Sequence, residues 1–214
     1  MSDILRVRWT VVPRSAPQPW LNCNRCRAIR RFRSSGKIRI NANGKRLDAW
    51  LIYKCTTCDS TWNRPVLERR HVRAIDPRLL MSLRASDPDL VHRLAFDTGT
   101  LRRKAISVEE FDDVVVRKEM LSQSMTARQL EILCAVPQTT RLRVDRLLAS
   151  ELQVSRSRIR HLQDMGDLAV SPVGSRVLRA AVRDGMRVTI DLSEAYDRDR
   201  IALAARTGDQ GVDS

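Results

Sequence analysis

The spacing of apolar and polar residues divides the chain into a β-patterned beginning, a helical middle and a mixed end. Ile4 to Val12 is rich in β-branched and aromatic residues, and in Lys37 to Asn41 the apolar Ile38 and Ile40 alternate with Lys37 and Arg39. A period of two puts successive side chains on opposite sides of a pleated strand, so both stretches predict strands. Asn43-Gly44 is a turn dipeptide, because both residues tolerate left-handed backbone. Beyond it Leu47, Ala49, Leu51 and Tyr53 fall on one face and Asp48, Trp50, Ile52 and Lys54 on the other, which predicts a hairpin leading to Cys55.

The middle changes period. Asp76-Pro77 and Asp87-Pro88 each join an N-capping carboxylate to a proline preset for the first helical position, and predict two short helices. Thr98-Gly99 reads as a break, Ser107 with Glu110 has capping-box spacing, and Val114 to Val116 and Ile132 to Val136 read as short strands. Further on, Val144, Leu147, Leu148 and Leu152 recur at helical spacing. Ser155 is placed to cap a second helix with Ile159, Leu162 and Met165 as its buried stripe and Gly166 at its end. Leu168 to Val170 and Arg187 to Leu192 predict strands, with a turn at Asp184-Gly185 between them. The final TGDQGVDS is a polar terminus expected to fray.

Charge adds a partner class. The formal net charge is +14, and it is uneven: 17 cations face 4 carboxylates in residues 1–75, 9 face 10 in 76–140, 10 face 6 in 141–192 and 3 face 5 in 193–214. Such an excess points to a polyanion. Arginine supplies 34 of the 39 cations, which suits bidentate phosphate contacts, although a GC-rich genome favours arginine equally well. The opening MSDILRVRWTVVPR is too charged for a secretory segment, and no apolar run approaches the ~18 residues of a membrane span. A soluble, cytoplasmic protein is expected.

In a reducing compartment cysteines more often bind metal than each other. CNRC at 23–26 and CTTC at 55–58 are two Cys-x-x-Cys knuckles separated by 28 residues, room for a complete hairpin. Two residues between cysteines let one tight turn aim both sulfurs at a common ion, and two such turns complete a tetrahedral sulfur shell. Cys23, Cys26, Cys55 and Cys58 are therefore the expected ligands of a structural Zn(II); an iron–sulfur cluster or a pair of redox dithiols would use the same residues. Cys134 stands alone in an apolar run and is expected to be buried and inert. Trp9, Trp20, Trp50 and Trp62 are interleaved with cations in the first segment, either as stacking platforms for bases or, the favoured reading, as filling for a scant core. SSGK at 34–37 lacks the upstream glycine and following hydroxyl of a phosphate-binding loop and reads as a turn.

Two resemblances follow. RVDRLL at 143–148, SRSR at 155–158, Gly166 and DGMRVTI resemble the RNA-binding domain named after the fourth small-subunit ribosomal protein. That resemblance implies that Arg143, Arg146, Arg156, Arg158 and Arg160 grip structured RNA, chiefly ribosomal or transfer RNA. CNRC, SSGKIRINANGKRLDAWLIYKC, CTTC and TWN resemble a bacterial family catalogued as domain of unknown function 1062, which implies no activity.

The expected fold is α+β in four consecutive segments: a strongly basic zinc ribbon over 1–75, a mainly helical connector with short strands over 76–140, an RNA-binding-like domain of two helices on a small sheet over 141–192, and a short helix with an acidic tail over 193–214. The expected function is non-enzymatic binding of structured RNA, with the ribosome as a candidate partner and Lys37 and Arg39 adding contacts from the first segment. The rivals are a zinc-ribbon factor that binds DNA or accompanies transcription, and a protein-interaction adaptor. His71, His92 and His161 lie in no catalytic or metal motif and read as surface or packing residues.

Overall fold

A computed structural model of the chain describes residues 3–122, 127–172, 174 and 176–207. The fold is α+β, with two five-stranded sheets belonging to two compact units. One unit is residues 16–110; the other joins residues 1–15 to 111–214. These units cut across the four consecutive segments expected from the sequence. The first strand and Trp9 belong with the carboxy-terminal half, because their hydrogen-bonding partners lie more than a hundred residues away.

In the 16–110 unit the strands are β2 (Gln18–Cys23), β3 (Ala28–Asn43), β4 (Arg46–Cys55), β5 (Thr61–His71) and β6 (Ser107–Glu109), ordered β5-β4-β3-β2-β6. All neighbours are antiparallel. Leu47, Ala49, Leu51 and Tyr53 are buried, as the alternation predicts, and pack against helices α1 (Pro77–Ala85), α2 (Pro88–Ala95) and α3 (Thr98–Lys104) through Leu83, Leu90, Val91, Ala95 and Leu101. Asp76 and Asp87 cap α1 and α2 through their side chains. Arg64 of β5, 2 % exposed, donates to the Leu94 carbonyl at the end of α2 and to Asp97 at 2.8 Å, tying the strand to two helix termini.

Three local expectations fail here for tertiary reasons. Thr98-Gly99 is the first turn of α3 rather than a break, because Asp97 accepts from the Thr100 N–H and starts a helix whose Leu101 is buried. Ser107–Glu109 is an edge strand rather than a helix start, because Gln18, Pro19 and Trp20 of β2 offer it a partner. The SSGK stretch is a register shift inside β3 between Ser34 and Ile38, with Gly36 at φ 73°, rather than a turn that ends the strand.

In the other unit β1 (Ile4–Pro13) is flanked by antiparallel β7 (Val114–Met120) and parallel β8 (Gln129–Ala135), and β10 (Arg187–Asp191) links β8 to β9 (Leu168–Ser171). One sheet face, with Leu5, Val7, Trp9, Leu130, Ile132 and Val188, packs with residues from α4 (Val144–Glu151), α5 (Arg156–Met165) and α6 (Arg198–Arg206). Ser155 caps α5 and Gly166, at φ 84°, ends it, as predicted. Met165 does not join the stripe: it is 65 % exposed, since α5 buries only Ile159 and Leu162. Cys134 is 1 % exposed, and burial pushes its thiol up to about 11. The short helix expected near the carboxy terminus is α6; the stretch expected to fray lies, beyond Thr207, outside the described residues. Among the described residues, no helix is long and apolar enough to cross a membrane.

Candidate metal centre and basic sheet face

Cys23 and Cys55 close strands β2 and β4, and Cys26 and Cys58 lie in the turns that follow. Each knuckle turns back on a left-handed residue placed directly after its second cysteine, Arg27 at φ 51° and Asp59 at φ 56°. The β3–β4 hairpin, with Phe32 opposite Cys55, brings the two turns together. All four sulfur atoms lie within 4.8 Å of one another, and all four cysteines are free thiols. A tetrahedral ion with bonds of ~2.3 Å holds its sulfurs at roughly 3.8 Å; with Cys23 and Cys58 at 3.5 Å and no pair beyond 4.8 Å, this set needs only small shifts to hold a metal ion.

The surroundings favour the anion at two of the four sulfurs. Ser60 Oγ lies 3.0 Å from Cys23 Sγ, and the Cys26 N–H donates to the same sulfur at 3.4 Å; together they draw Cys23 down to about 6. Cys58, also beside Ser60, is lowered. Cys26 moves the other way, to about 12, because its neighbour Cys58 and burial both oppose a further negative charge. Were all four sulfurs to ionise, a cation between them would be needed to offset their repulsion. Ser60 was not singled out by the sequence, since a lone serine after a knuckle carries no pattern.

The sheet that carries the four cysteines has a second face. Residues directly opposite one another share a face, so Arg39, Trp50 and Pro65 form one row, Arg33, Lys54 and Thr61 another, and Trp20 with Arg31 a third. Trp20, Trp50, Ile52 and Lys54 are half-buried and Arg33 and Arg39 exposed, and neither apolar cluster of this unit includes Trp50 or Ile52. The Arg31 guanidinium lies 5.7 Å from the Trp20 ring. Trp62 instead stacks against buried Tyr53 at 5.3 Å, and Trp9 is fully buried with its indole N–H donating to the Ala205 carbonyl. Trp9 is thus core and Trp62 packs, partly buried, against the core, while Trp20 and Trp50 lie half-buried on the opposite face of the sheet. Lys37 lies in the β3 bulge and is exposed.

Charge follows the same division. Residues 16–110 hold 20 cations against 9 carboxylates, while the remainder of the chain holds 19 against 16. Among the described residues, Arg39, Lys37 and Lys54 have no carboxylate partner, whereas Arg31 and Arg33 make long contacts of 3.5 and 3.6 Å to Glu109 and Asp59.

The arginines of α4, α5 and their flanks are differently placed. Arg143 and Arg156 both hold Asp145 at 2.7 Å, Arg158 holds Asp197 at 2.9 Å, and Arg146 pairs with Asp112; Arg160 makes no ion pair among the described residues. The side chains of Asp145 and Asp197 are only 2 % and 3 % exposed. Burial alone would raise both carboxyls, but Arg156 with Arg143, and Arg158, outweigh it and leave both lowered. Folded values below the unfolded ~3.9 mean a contribution fully present above that pH and lost as pH falls through the folded values. The stability of this unit is expected to be flat above about pH 5 and to fall below about pH 4. Urea titrations in that range, compared with Asp197→Asn, check it; a variant with the same acid slope as the parent counts against the pairing.

The histidines are scattered: His71 Nδ1 accepts from the Arg73 N–H, His92 stacks on Phe96 at 4.4 Å, and His161 is on the exposed side of α5.

The family model described as "Protein of unknown function (DUF1062)" matches residues 40–172. The chain belongs to this family. In this DUF1062 member the matched stretch includes Cys55 and Cys58, Trp50 and all of α4 and α5, and leaves Cys23 and Cys26 before it. Comparison with the curated proteins and with the solved structures gave no match.

Proposed function

We propose that this protein is a non-enzymatic RNA-binding protein in which a structural Zn(II) ion, held by Cys23, Cys26, Cys55 and Cys58, ties together a sheet that offers its open face to RNA. The observation that carries the reading is the combination on that face of two half-buried indoles, Trp20 and Trp50, with Arg39 and Lys54, which have no carboxylate partner among the described residues. Indoles stack on any unpaired base, and the cations beside them neutralise the backbone. Such a platform suits bases splayed from loops and bulges of a folded RNA, where a helical duplex would keep its bases stacked out of reach. Four sulfur ligands favour zinc and leave no open position for a reactive water, so the metal serves structure rather than chemistry.

The arginines of α4 and α5 enter this reading unequally. Arg143, Arg156 and Arg158 are committed to buried carboxylates, so removing them would unsettle the fold before it told anything about RNA. Arg39, Lys37 and Lys54 are the cleaner probes. With a hairpin-loop RNA, Trp50→Ala is expected to cost ~1–3 kcal/mol of binding. Arg39→Ala with Lys54→Ala is expected to lower the salt slope by about 1.4, at ~0.7 per phosphate contact to a single strand. Anisotropy titrations against a loop RNA and a DNA duplex at matched salt measure both. Tighter binding to duplex DNA, or a Trp50→Ala protein that binds RNA normally, would sink the assignment.

A further inference from the structure

In the unit built on β1 and residues 111–207, a cavity of about 360 Å³ is lined by Asp145 of α4, by Arg160, Gln163 and Asp164 of α5, and by Arg176 and Arg179 at the ends of a short 3-10 turn. Two independent observations point to a ligand. Arg160, Arg176 and Arg179 are exposed and have no ion-pair partner among the described residues, while the charge of Asp145 is already met by Arg143 and Arg156. Even with Asp164 counted, the lining carries an excess of cations. The second observation is Asp145 itself. Its Oδ2 accepts all the hydrogen bonds, from Arg143 at 2.7 Å and from Arg156 at 2.7 and 3.2 Å, whereas its Oδ1 is buried and accepts none. A buried carboxylate oxygen without a donor is rare in a folded protein, and this one belongs to a residue that lines the cavity.

We propose that the cavity binds a phosphate monoester that carries its own N–H or O–H donor. The phosphate is held by Arg160, Arg176 and Arg179, and the donor is directed to Asp145 Oδ1. Guanidinium groups match phosphate oxygens two at a time, which a lysine cluster would not do. A nucleoside monophosphate has both groups, with base and sugar donors on one side and the phosphate on the other. The same chemistry arrives either as a free nucleotide or as the phosphorylated end of an RNA strand. This site does not depend on the open sheet face of residues 16–110, and it stands if that reading fails.

The test is calorimetry on the full-length protein near 0.15 M salt, where loose surface attraction is screened. The probes are guanosine monophosphate, guanosine, inorganic phosphate, and a short RNA with and without a terminal phosphate. One guanosine monophosphate per chain is expected, with guanosine and inorganic phosphate each about tenfold weaker or more. Arg160→Gln combined with Arg179→Gln, both on exposed side chains, is expected to weaken it by a similar factor at an unchanged thermal midpoint. Tighter binding of the free nucleotide assigns a small-molecule ligand, and tighter binding of the phosphorylated RNA end assigns a strand terminus; both uphold the site. Failure of every phosphate ester to saturate, indifference to the double substitution, or inorganic phosphate binding as tightly as the nucleotide would overturn it.

Discussion

With zinc held by the four cysteines as proposed, stripping it, or replacing Cys55 by Ser, is expected to unfold residues 16–110 as a unit. Cys55 is fully buried at the end of β4, and its N–H is held by the Ser60 carbonyl, so the strand and the second knuckle share one anchor. In zinc-finger peptides a structural zinc contributes on the order of 10–16 kcal/mol, against a whole-domain stability of about 5–15 kcal/mol. Loss of the ion therefore exceeds what Leu47, Leu51, Tyr53 and the three short helices can hold by packing. The indoles give the readout, since Trp20, Trp50 and Trp62 lie in this unit and Trp9 in the other. Chelation should expose the first three to solvent and leave Trp9 shielded, with one zinc per chain released by elemental analysis. A metal-free protein whose near-ultraviolet signal and melting are unchanged would refute a structural role for the ion.

The second large effect is expected at Lys118, a residue that no sequence pattern marks. Its ammonium group is 3 % exposed, donates to the carbonyls of Glu151, Ala204 and Thr207 at 3.1, 2.8 and 3.0 Å, and lies 2.9 Å from the Glu151 carboxylate. It also sits 5.1 Å from the Trp9 ring. One lysine thus caps the carboxy-terminal ends of α4 and α6, where unpaired carbonyls and the helix dipoles favour a cation. Lys118→Met keeps the length of the side chain and removes every donor, leaving the carbonyls at two helix ends and the Glu151 carboxylate without this partner. The expected loss is about 3–5 kcal/mol, read as a lower urea midpoint for the unit that contains Trp9. Glu151→Gln should cost only about 1 kcal/mol, because the three backbone acceptors still hold the ammonium. Equal losses in the two variants would assign the effect to the ion pair rather than to the helix ends.

Reading the sequence alone determined the α+β class, the faces of β4, the caps at Asp76, Asp87 and Ser155, and the four cysteines that the fold brings together. These share a physical basis: each depends on residues within a few positions of one another, or on a spacing that one hairpin can close. What the tertiary structure decided depends on partners distant in the chain. Ser107 became a strand because β2 had a free edge beside it, and β1 joined the other unit because β7 and β8 pair with it from beyond residue 111. Trp9 became core and Trp62 packed against Tyr53 at the margin of a core while Trp20 and Trp50 stayed on the other face of the sheet, although all four sit in basic surroundings along the sequence. Above all, a list of arginines does not say which are free. Arg156 and Arg158 turn inward to Asp145 and Asp197, whereas Arg160 on the same helix does not, because only the packed positions of α4 and α6 bring a buried carboxylate within reach of the first two.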